Sequence, residues 1–481
     1  MDLRLTSGRI IPIEMHKVRI VQKTRLIPAR ERLTSIEEAG YNTFLLKSRD
    51  VFLDMLTDSG TNAMSDNQLA AMMVSDDAYA GGESYYKLLA AVKEVLGFEY
   101  CVPAHQGRAA EHILTKIFIK PGDVIPMNYH FTTTKAHFEI LGGKVLEIYT
   151  DEALKTTSDN PFKGNLDLDK FRAVIEQYGK EKVSFVRMEA TTNLIGGQPF
   201  SLGNLKAVRK IAAAHGIPVI MDCSLISENA YFIKRREPEY ADVSVADIVR
   251  EMMSQCDMIY LSARKSACVR GGLIATNNPE YFEQLKAWLP LYEGFITYGG
   301  MSSKEIEAMA VGIREMVDYD VASSSPDLIK YFIDELVKRK LPCITPAGGL
   351  AGHLDAQRFV SHVPQAGYQA GALTAAVYLA SGARGMERGT VSMDRDEQGN
   401  DVFSDMELCR LAVPRRVYSV SHIDYVVDRL DWLYKHRELI GSLKFIHEPP
   451  VLRFFTGKLK ALDDWGAKLA TAFEKDFGKD C

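Results

Sequence analysis

The chain has 481 residues, 46% of them hydrophobic and 25% charged, with a formal net charge of −5. That balance suits a globular protein of two or three domains and gives no electrostatic reason to expect nucleic acid or a membrane as partner. Seven cysteines without a CxxC pair argue against a disulfide scaffold and for a reducing, cytoplasmic setting. The amino terminus, with Asp2, Arg4 and Arg9, lacks the apolar core of a signal peptide, and no apolar run is long enough for a spanning helix.

In chain order, residues 1–60 are mixed and basic early (Lys17, Arg19, Lys23, Arg25) and read as an N-terminal arm and part of a small domain. From 61 to 330 strand-like runs alternate with helical ones, as in a large, mostly parallel sheet domain. Strands are expected over 100–103, 182–187, 217–222 and 258–265, and helices over 109–119 and 201–216. The last helix is the clearest: Ser201 can cap it, Leu205, Val208, Ile211 and Ala212 form one face, and Gly216 ends it. Strand, helix and strand with short links imply a parallel crossover. From 331 to 481 the pattern becomes a smaller α+β domain with a C-terminal extension. Helices are expected over 327–340, 371–380 and 423–439, short strands near Cys343 and His353, an exposed loop over 394–401, and helix-like spacing over 463–479.

Asp222 and Lys265 end two of the apolar strands, where ligands of parallel sheets bind. An acid and a lysine so placed suit pyridoxal phosphate: the carboxylate keeps the pyridine nitrogen protonated and the amine joins the aldehyde. Gly107 and Arg108 open a helix whose free amides can take a phosphate. Ser262, three residues before Lys265, can add a hydroxyl. Phe131, after a strand, is either a core residue or a ring that stacks on a flat cofactor. Arg264 can lower the lysine's proton affinity if both face one cavity. Arg415 is a candidate grip on a substrate carboxylate, although by spacing alone Arg415 and Arg388 both read as surface arginines. His130 and His137 lack companions at ligand spacing and read as packing residues, so no metal site is expected. No GxGxxG follows a strand, which sets a nicotinamide dehydrogenase low.

These signals occur together with longer phrases: Gly40-Tyr41-Asn42-Thr43-Phe44-Leu45-Leu46, Leu56-Thr57-Asp58-Ser59-Gly60-Thr61, His105-Gln106-Gly107-Arg108, Gly196-Gly197-Gln198-Pro199 and Glu228-Asn229-Ala230-Tyr231-Phe232-Ile233. Through them the chain resembles the β-eliminating lyases, tyrosine phenol-lyase and tryptophanase, over nearly its whole length. Phe131-Thr132-Thr133-Thr134, Met386-Glu387-Arg388-Gly389 and Arg453-Phe454-Phe455-Thr456 resemble the phenol-lyase branch more closely. The resemblance implies the α/β fold type I of pyridoxal phosphate enzymes (aspartate-aminotransferase-like) and a homotetramer built as a dimer of dimers. It implies that Lys265 holds the cofactor and removes the α-proton. Asp222 would pair with the ring nitrogen, and Gln106, Gly107, Arg108 and Ser262 would hold the phosphate. Phe131 would stack on the ring and Asn193 would lie near its oxygen. Thr57, Ser59 and Arg415 would orient the amino acid, and Tyr79 and Tyr298 would be active-site tyrosines, the former assisting the leaving group. Thr132 and Arg388 would recognise the phenolic hydroxyl, while Phe44, Phe295, Met386 and Phe454 line the side-chain pocket. The implied reaction releases a phenol, pyruvate and ammonia from tyrosine or a ring-substituted tyrosine.

Three departures from the family pattern set up an alternative, in which cofactor and aromatic substrate are kept but the reaction is β-substitution, another elimination, or an oxidative or decarboxylative step. Leu225 stands where the family has an arginine. The segment after Lys265 is one residue shorter, which puts the family's monovalent-cation (potassium) site in doubt; Arg270 is expected to replace the ion and pair with Asp77. Arg264 replaces a lysine, which keeps charge but changes geometry.

Overall fold

The computed structural model describes residues 2–479. Two compact units share the chain: one takes the residues up to Asp58, then Leu154–Asp159 and everything from Asp327 onward, and the other takes Ser59–Ala153 and Asn160–Pro326.

The second unit is built on a seven-stranded sheet. In chain order its strands are β1 (Tyr100–Ala104), β2 (Val124–Met127), β3 (Lys144–Glu147), β4 (Val186–Glu189), β5 (Val219–Asp222), β6 (Met258–Ser262) and β7 (Gly272–Thr276). They lie in the spatial order β1-β7-β6-β5-β4-β2-β3. Every pairing from β6 outward to β3 is parallel, and β7 runs antiparallel to both β1 and β6. Strands covered on both faces need apolar side chains on both, and β2, β4, β5 and β7 are buried at every residue.

Helices α1 (Gly107–Phe118), α2 (Thr132–Ile140), α3 (Leu202–His215) and α4 (Ile226–Arg236) connect these strands. α3 joins β4 to β5. The Ser201 side chain accepts from the Asn204 amide at its start, Gly216 at φ +68° ends it, and Leu205, Val208, Ile211 and Ala212 are its buried stripe, as the sequence pattern requires. The strand expected over 182–187 is displaced. Lys180–Lys182 form a 3-10 turn, and the ladder begins at Val186 and runs to Glu189. Periodicity located the apolar run but not where it meets a partner. The strand expected to run through Lys265 stops at Ser262, because the Lys265 amide turns back to the Ser262 carbonyl at 3.2 Å.

The first unit centres on Gln369–Ser381, a helix buried at all 13 positions. Its residues are apolar on every side apart from Gln369, Thr374, Tyr378 and Ser381, each of which donates to a backbone carbonyl, the signature of a core helix rather than a surface one. Helices Ala29–Glu38, Val420–Lys435 and Trp465–Phe477 pack on it, beside a three-stranded antiparallel sheet in the order Ala351–Asp355, Leu408–Ala412, Met386–Arg388. The early arm is therefore part of a core: Ala29, Leu33 and Ile36 are buried, and the buried Arg32 guanidinium donates to the Leu379 carbonyl at 2.8 Å. The C-terminal extension is packed too, through Trp465, Leu469 and Phe473, worth roughly 1.5–3 kcal/mol each. The helix expected to start at 327 begins instead at Tyr319 and runs through Pro326 to Lys338.

Candidate active site

Asp222 and Ser262 close the adjacent parallel strands β5 and β6, and Lys265 follows one turn later. The Asn62 side-chain amide holds that turn, donating to the Arg264 and Lys265 carbonyls at 3.2 and 2.9 Å. Phe131, the residue that precedes α2, lies with its ring centroid 5.6 Å from Lys265 Nζ. A flat aromatic ring and the lysine amine are thus brought together at the carboxyl ends of the strands.

The first residue of α1 packs on the end of β6. A Cβ on Gly107 would lie 2.7 Å from Ser262 Cβ and 3.0 Å from its Cα and N. Only glycine lets this helix end approach so closely, and the positive end of the helix is thereby set against the Ser262 side chain, an arrangement that suits an anion. Gln106 precedes α1 in extended conformation, and Arg108 is exposed at its second position. Amine, stacking ring, carboxylate and anion cradle together fit pyridoxal phosphate.

Beneath Asp222 lies a charge cluster buried in the sheet. Arg187 of β4 is fully buried and donates to Asp222 Oδ2 at 2.9 Å, Glu189 Oε2 at 3.0 Å and the Tyr260 hydroxyl at 2.8 Å. Burial opposes its charge, yet Tyr260, Glu189, Asp222 and Glu111 hold it protonated well above the usual arginine value. Burial, with Asp222 adding, pushes the Glu189 carboxyl up, against the pull of Arg187, the Asn193 amide and Lys265. Asp222 Oδ1 accepts from the Ser224 amide at 3.0 Å, and Glu189 Oε1 accepts from the Asn193 amide at 2.9 Å. Glu111 of α1 receives the Thr133 and Thr134 hydroxyls at 3.0 and 2.6 Å. It thereby pins the first turn of α2, which carries Phe131 and Thr132. Burial pushes the Glu111 carboxyl up, but His137, Thr134 and Arg187 outweigh it and hold the group below the usual range.

The other expected site residues fall as follows. In the sheet unit, Tyr79 is exposed, 5.3 Å from the Tyr298 ring and 6.0 Å from that of Phe295. Its hydrogen bond with Tyr298 raises its proton affinity. Asn193 is buried in the turn after β4, and Ser59 is half-buried. In the other unit, Phe44 meets Phe454 edge-on at 5.6 Å, Met386 is buried and Thr57 is half-buried. Arg388 and Arg415, which spacing alone places at the surface, are 3% and 2% exposed. The Arg388 guanidinium donates to Ser404 Oγ at 2.6 Å and to the Met406 carbonyl at 3.3 Å, beside Asp405.

The expected pairing of Arg270 with Asp77 is not found. Both are exposed, and among the described residues no ion pair joins them. The arginine that reaches Gly60 is Arg264: Gly60, at φ +80°, donates its amide to the Arg264 carbonyl at 2.9 Å, and a Cβ there would run into the Arg264 guanidinium. Burial and the nearby charges of Arg270 and Arg108 push that guanidinium below its usual value, against Glu305. His130 pairs with Glu147, and His137 lies 3.5 Å from Glu111.

Sequence reasoning missed Arg187, Glu189 and Glu111. The available signal was a charged residue at alternate positions of the apolar run Val186-Arg187-Met188-Glu189. In a strand buried on both faces, such charges must find partners within the fold.

A family model described as beta-eliminating lyase matches residues 54–429. The tyrosine phenol-lyase of Symbiobacterium sp. (strain SC-1) is 45% identical over 451 residues, covering 93% of this chain and 98% of that one. The tyrosine phenol-lyase of Clostridium tetani is 45% identical over 454 residues, covering 94% and 99%. Among solved structures, the serine palmitoyltransferase of Sphingomonas wittichii matches with a TM-score of 0.54 at 12% identity, over 81% of this chain and 88% of that one. An SPT solved with PLP matches at 0.53 and 14%, over 82% and 90%. These structural likenesses establish the fold, the α/β fold type I.

Proposed function

The chain belongs to the beta-eliminating lyase family, PLP-dependent enzymes, and from that premise we propose that it cleaves the bond between Cβ and the ring of tyrosine or a ring-substituted tyrosine, releasing a phenol, pyruvate and ammonia. The observation that carries this reading is the 45% identity, over 93% of the chain, to relatives named tyrosine phenol-lyase. When bound, pyridoxal phosphate supplies the electron sink that stabilises negative charge at the amino acid's Cα.

The residues divide the remaining work. Gln106, Gly107, Arg108 and Ser262 would hold the phosphate, Phe131 would stack on the ring, and Asp222 and Asn193 would serve its nitrogen and its oxygen. Lys265 Nζ takes the α-proton. Thr57, Ser59 and Arg415 orient the substrate's amino-acid end. Tyr79, kept protonated by its bond to Tyr298, delivers a proton to the ring carbon that leaves. Thr132 and Arg388 bind the phenolic oxygen, where charge grows as the ring tautomerises, so they count for more in the transition state than in the ground state. Phe44, Phe295, Met386 and Phe454 exclude water from the aromatic ring. A monovalent cation near Gly60 is disfavoured by the Arg264 guanidinium that lies against that glycine. The reading includes a homotetramer and a reducing cytoplasm, which suits the six cysteines that are buried and unbonded among the described residues. Among the described residues no helix is long and apolar enough to cross a membrane.

A second reading keeps the cofactor and the aromatic substrate but changes the bond that breaks. It is favoured by Leu225, a buried apolar residue before α4 where the family pattern has an arginine. A panel of tyrosine, ring-substituted tyrosines and other β-substituted amino acids, with phenol and pyruvate measured separately, tests both. Equimolar phenol and pyruvate from a tyrosine is the expected result. Turnover of the panel without phenol would transfer the assignment to the second reading.

A further inference from the structure

We propose that Arg187 sets how firmly Asp222 holds a proton on the ring nitrogen of the bound cofactor, weakening that hold by sharing the carboxylate's charge. The inference rests on the assignment of Asp222 to the ring nitrogen.

Asp222 has two oxygens. Oδ1 is committed to the Ser224 amide and Oδ2 to Arg187 Nη2 at 2.9 Å, with the arginine fully buried. A carboxylate alone in such a site would place its whole negative charge at the service of a pyridinium. Here a guanidinium stands behind it in a low dielectric, where its field is little screened. Arg187 is held there by more than Asp222. Glu189 Oε2 accepts at 3.0 Å, Tyr260 at 2.8 Å and the Tyr129 carbonyl at 3.2 Å, with Glu111 acting at longer range. The charged and titratable groups around it are thus Asp222, Glu189, Glu111 and Tyr260, and Lys265 acts on Glu189. Three carboxylates around one buried cation keep the arginine charged, so its opposition to a second cation, the protonated ring nitrogen, is permanent. Glu189 also accepts from the Asn193 amide. The same guanidinium therefore ties the residue facing the ring nitrogen to the turn that carries the residue assigned to the ring oxygen. Arg187 is a positioning residue in this scheme, since it acts through Asp222.

The test compares the affinity of the apoenzyme for pyridoxal phosphate with its affinity for the analogue in which the ring nitrogen is replaced by CH. Wild type and Arg187→Gln are measured, each followed by visible absorbance and tyrosine fluorescence. Gln keeps hydrogen-bond donors but removes the charge. The preference for the true cofactor over the nitrogen-free analogue is expected to rise about tenfold in Arg187→Gln, the equivalent of one unit in the ring nitrogen's pKa. A merely structural arginine would weaken both ligands equally and leave the ratio unchanged, and that result overturns the proposal. Arg187→Lys, which retains charge, is expected to keep the wild-type ratio. If Arg187→Gln does not fold, a ratio in Arg187→Lys raised about tenfold overturns it just as well. A wild-type protein that takes up neither ligand sinks the functional reading itself, a separate outcome.

Discussion

The substitution Gly107→Ala tests the anion cradle with a single methyl group. The new Cβ would sit 2.7 Å from Ser262 Cβ and 3.0 Å from Ser262 Cα and N. Ordinary carbon contacts begin near 3.5 Å, so roughly 0.5–0.8 Å must be recovered. Rotating a side chain cannot supply it, because two of the three obstructing atoms belong to the backbone of β6. The first turn of α1 must therefore move off the strand end, at an overpacking cost of about 1–3 kcal/mol. The backbone conformation at Gly107 itself is helical, so the cost is steric and local to the cradle. Because the displaced amides are those assigned to the phosphate, most of the cost should appear as lost cofactor affinity. At about 1.4 kcal/mol per decade, pyridoxal phosphate is expected to bind roughly 5- to 150-fold more weakly, read by titrating the apoenzyme and following visible absorbance. Circular dichroism should show an unchanged helix content. An affinity within twofold of wild type in Gly107→Ala would refute the placement of the phosphate at this helix end.

Leu225→Arg restores the family's charge at the start of α4. Pyruvate release from tyrosine is expected to rise several-fold while the melting temperature falls, since a buried cation beside a helix N-terminus is unfavourable; wild-type activity already equal to the variant's would show that the arginine is dispensable. Glu387 makes stability depend on pH. Burial, reinforced by the Glu407 carboxylate, pushes its carboxyl up from 4.5 to about 8, although Ser392, Arg388 and the Val391 amide favour the anion. The unfolded chain ionises first, so the protonated group's contribution is complete below about pH 4.5 and is lost as pH rises through about 8. Glu387→Gln should therefore gain stability over wild type between pH 5 and 8, by up to about 5 kcal/mol, and run parallel to it above pH 8. A constant difference in denaturation midpoints across that range would remove Glu387 as the cause.

Much of the fold was legible because local chemistry and tertiary demand agree where a helix has both its caps. Ser201 and Gly216 bracket α3 as their side-chain oxygen and φ tolerance require. The helix expected over 371–380 is found over Gln369–Ser381, extended at its start by two residues and at its end by one. Boundaries failed where the partner decides them. The ladder of β4 starts at Val186 because that is where the parallel neighbour Val219 stands, and nothing within 182–187 records this. The site divided in the same way. Asp222, Lys265 and Gly107 could be placed because strand ends and helix starts are themselves sequence features. The burial of Arg388 and Arg415 could not, since a run such as Val413-Pro414-Arg415-Arg416 looks alike whether it faces solvent or a cavity.

The two least expected features near the strand ends, Leu225 and Arg187, are linked through the backbone. The Thr191 hydroxyl, at the exit of β4, donates to the Leu225 carbonyl at 3.1 Å, so the strand that carries Arg187 is fastened to the start of α4. Position 225 carries no charge, and the Asp222 carboxylate has its positive partner, Arg187, on β4. Arg187 is fixed in the sheet by Glu189, Tyr260 and a backbone carbonyl, and can only modulate Asp222. Restoring the arginine at Leu225 and neutralising Arg187 should consequently be non-additive. If each acts on the ring independently, the double variant will show the product of the two single effects; if both act through Asp222, it will fall short of that product, and the shortfall measures their coupling.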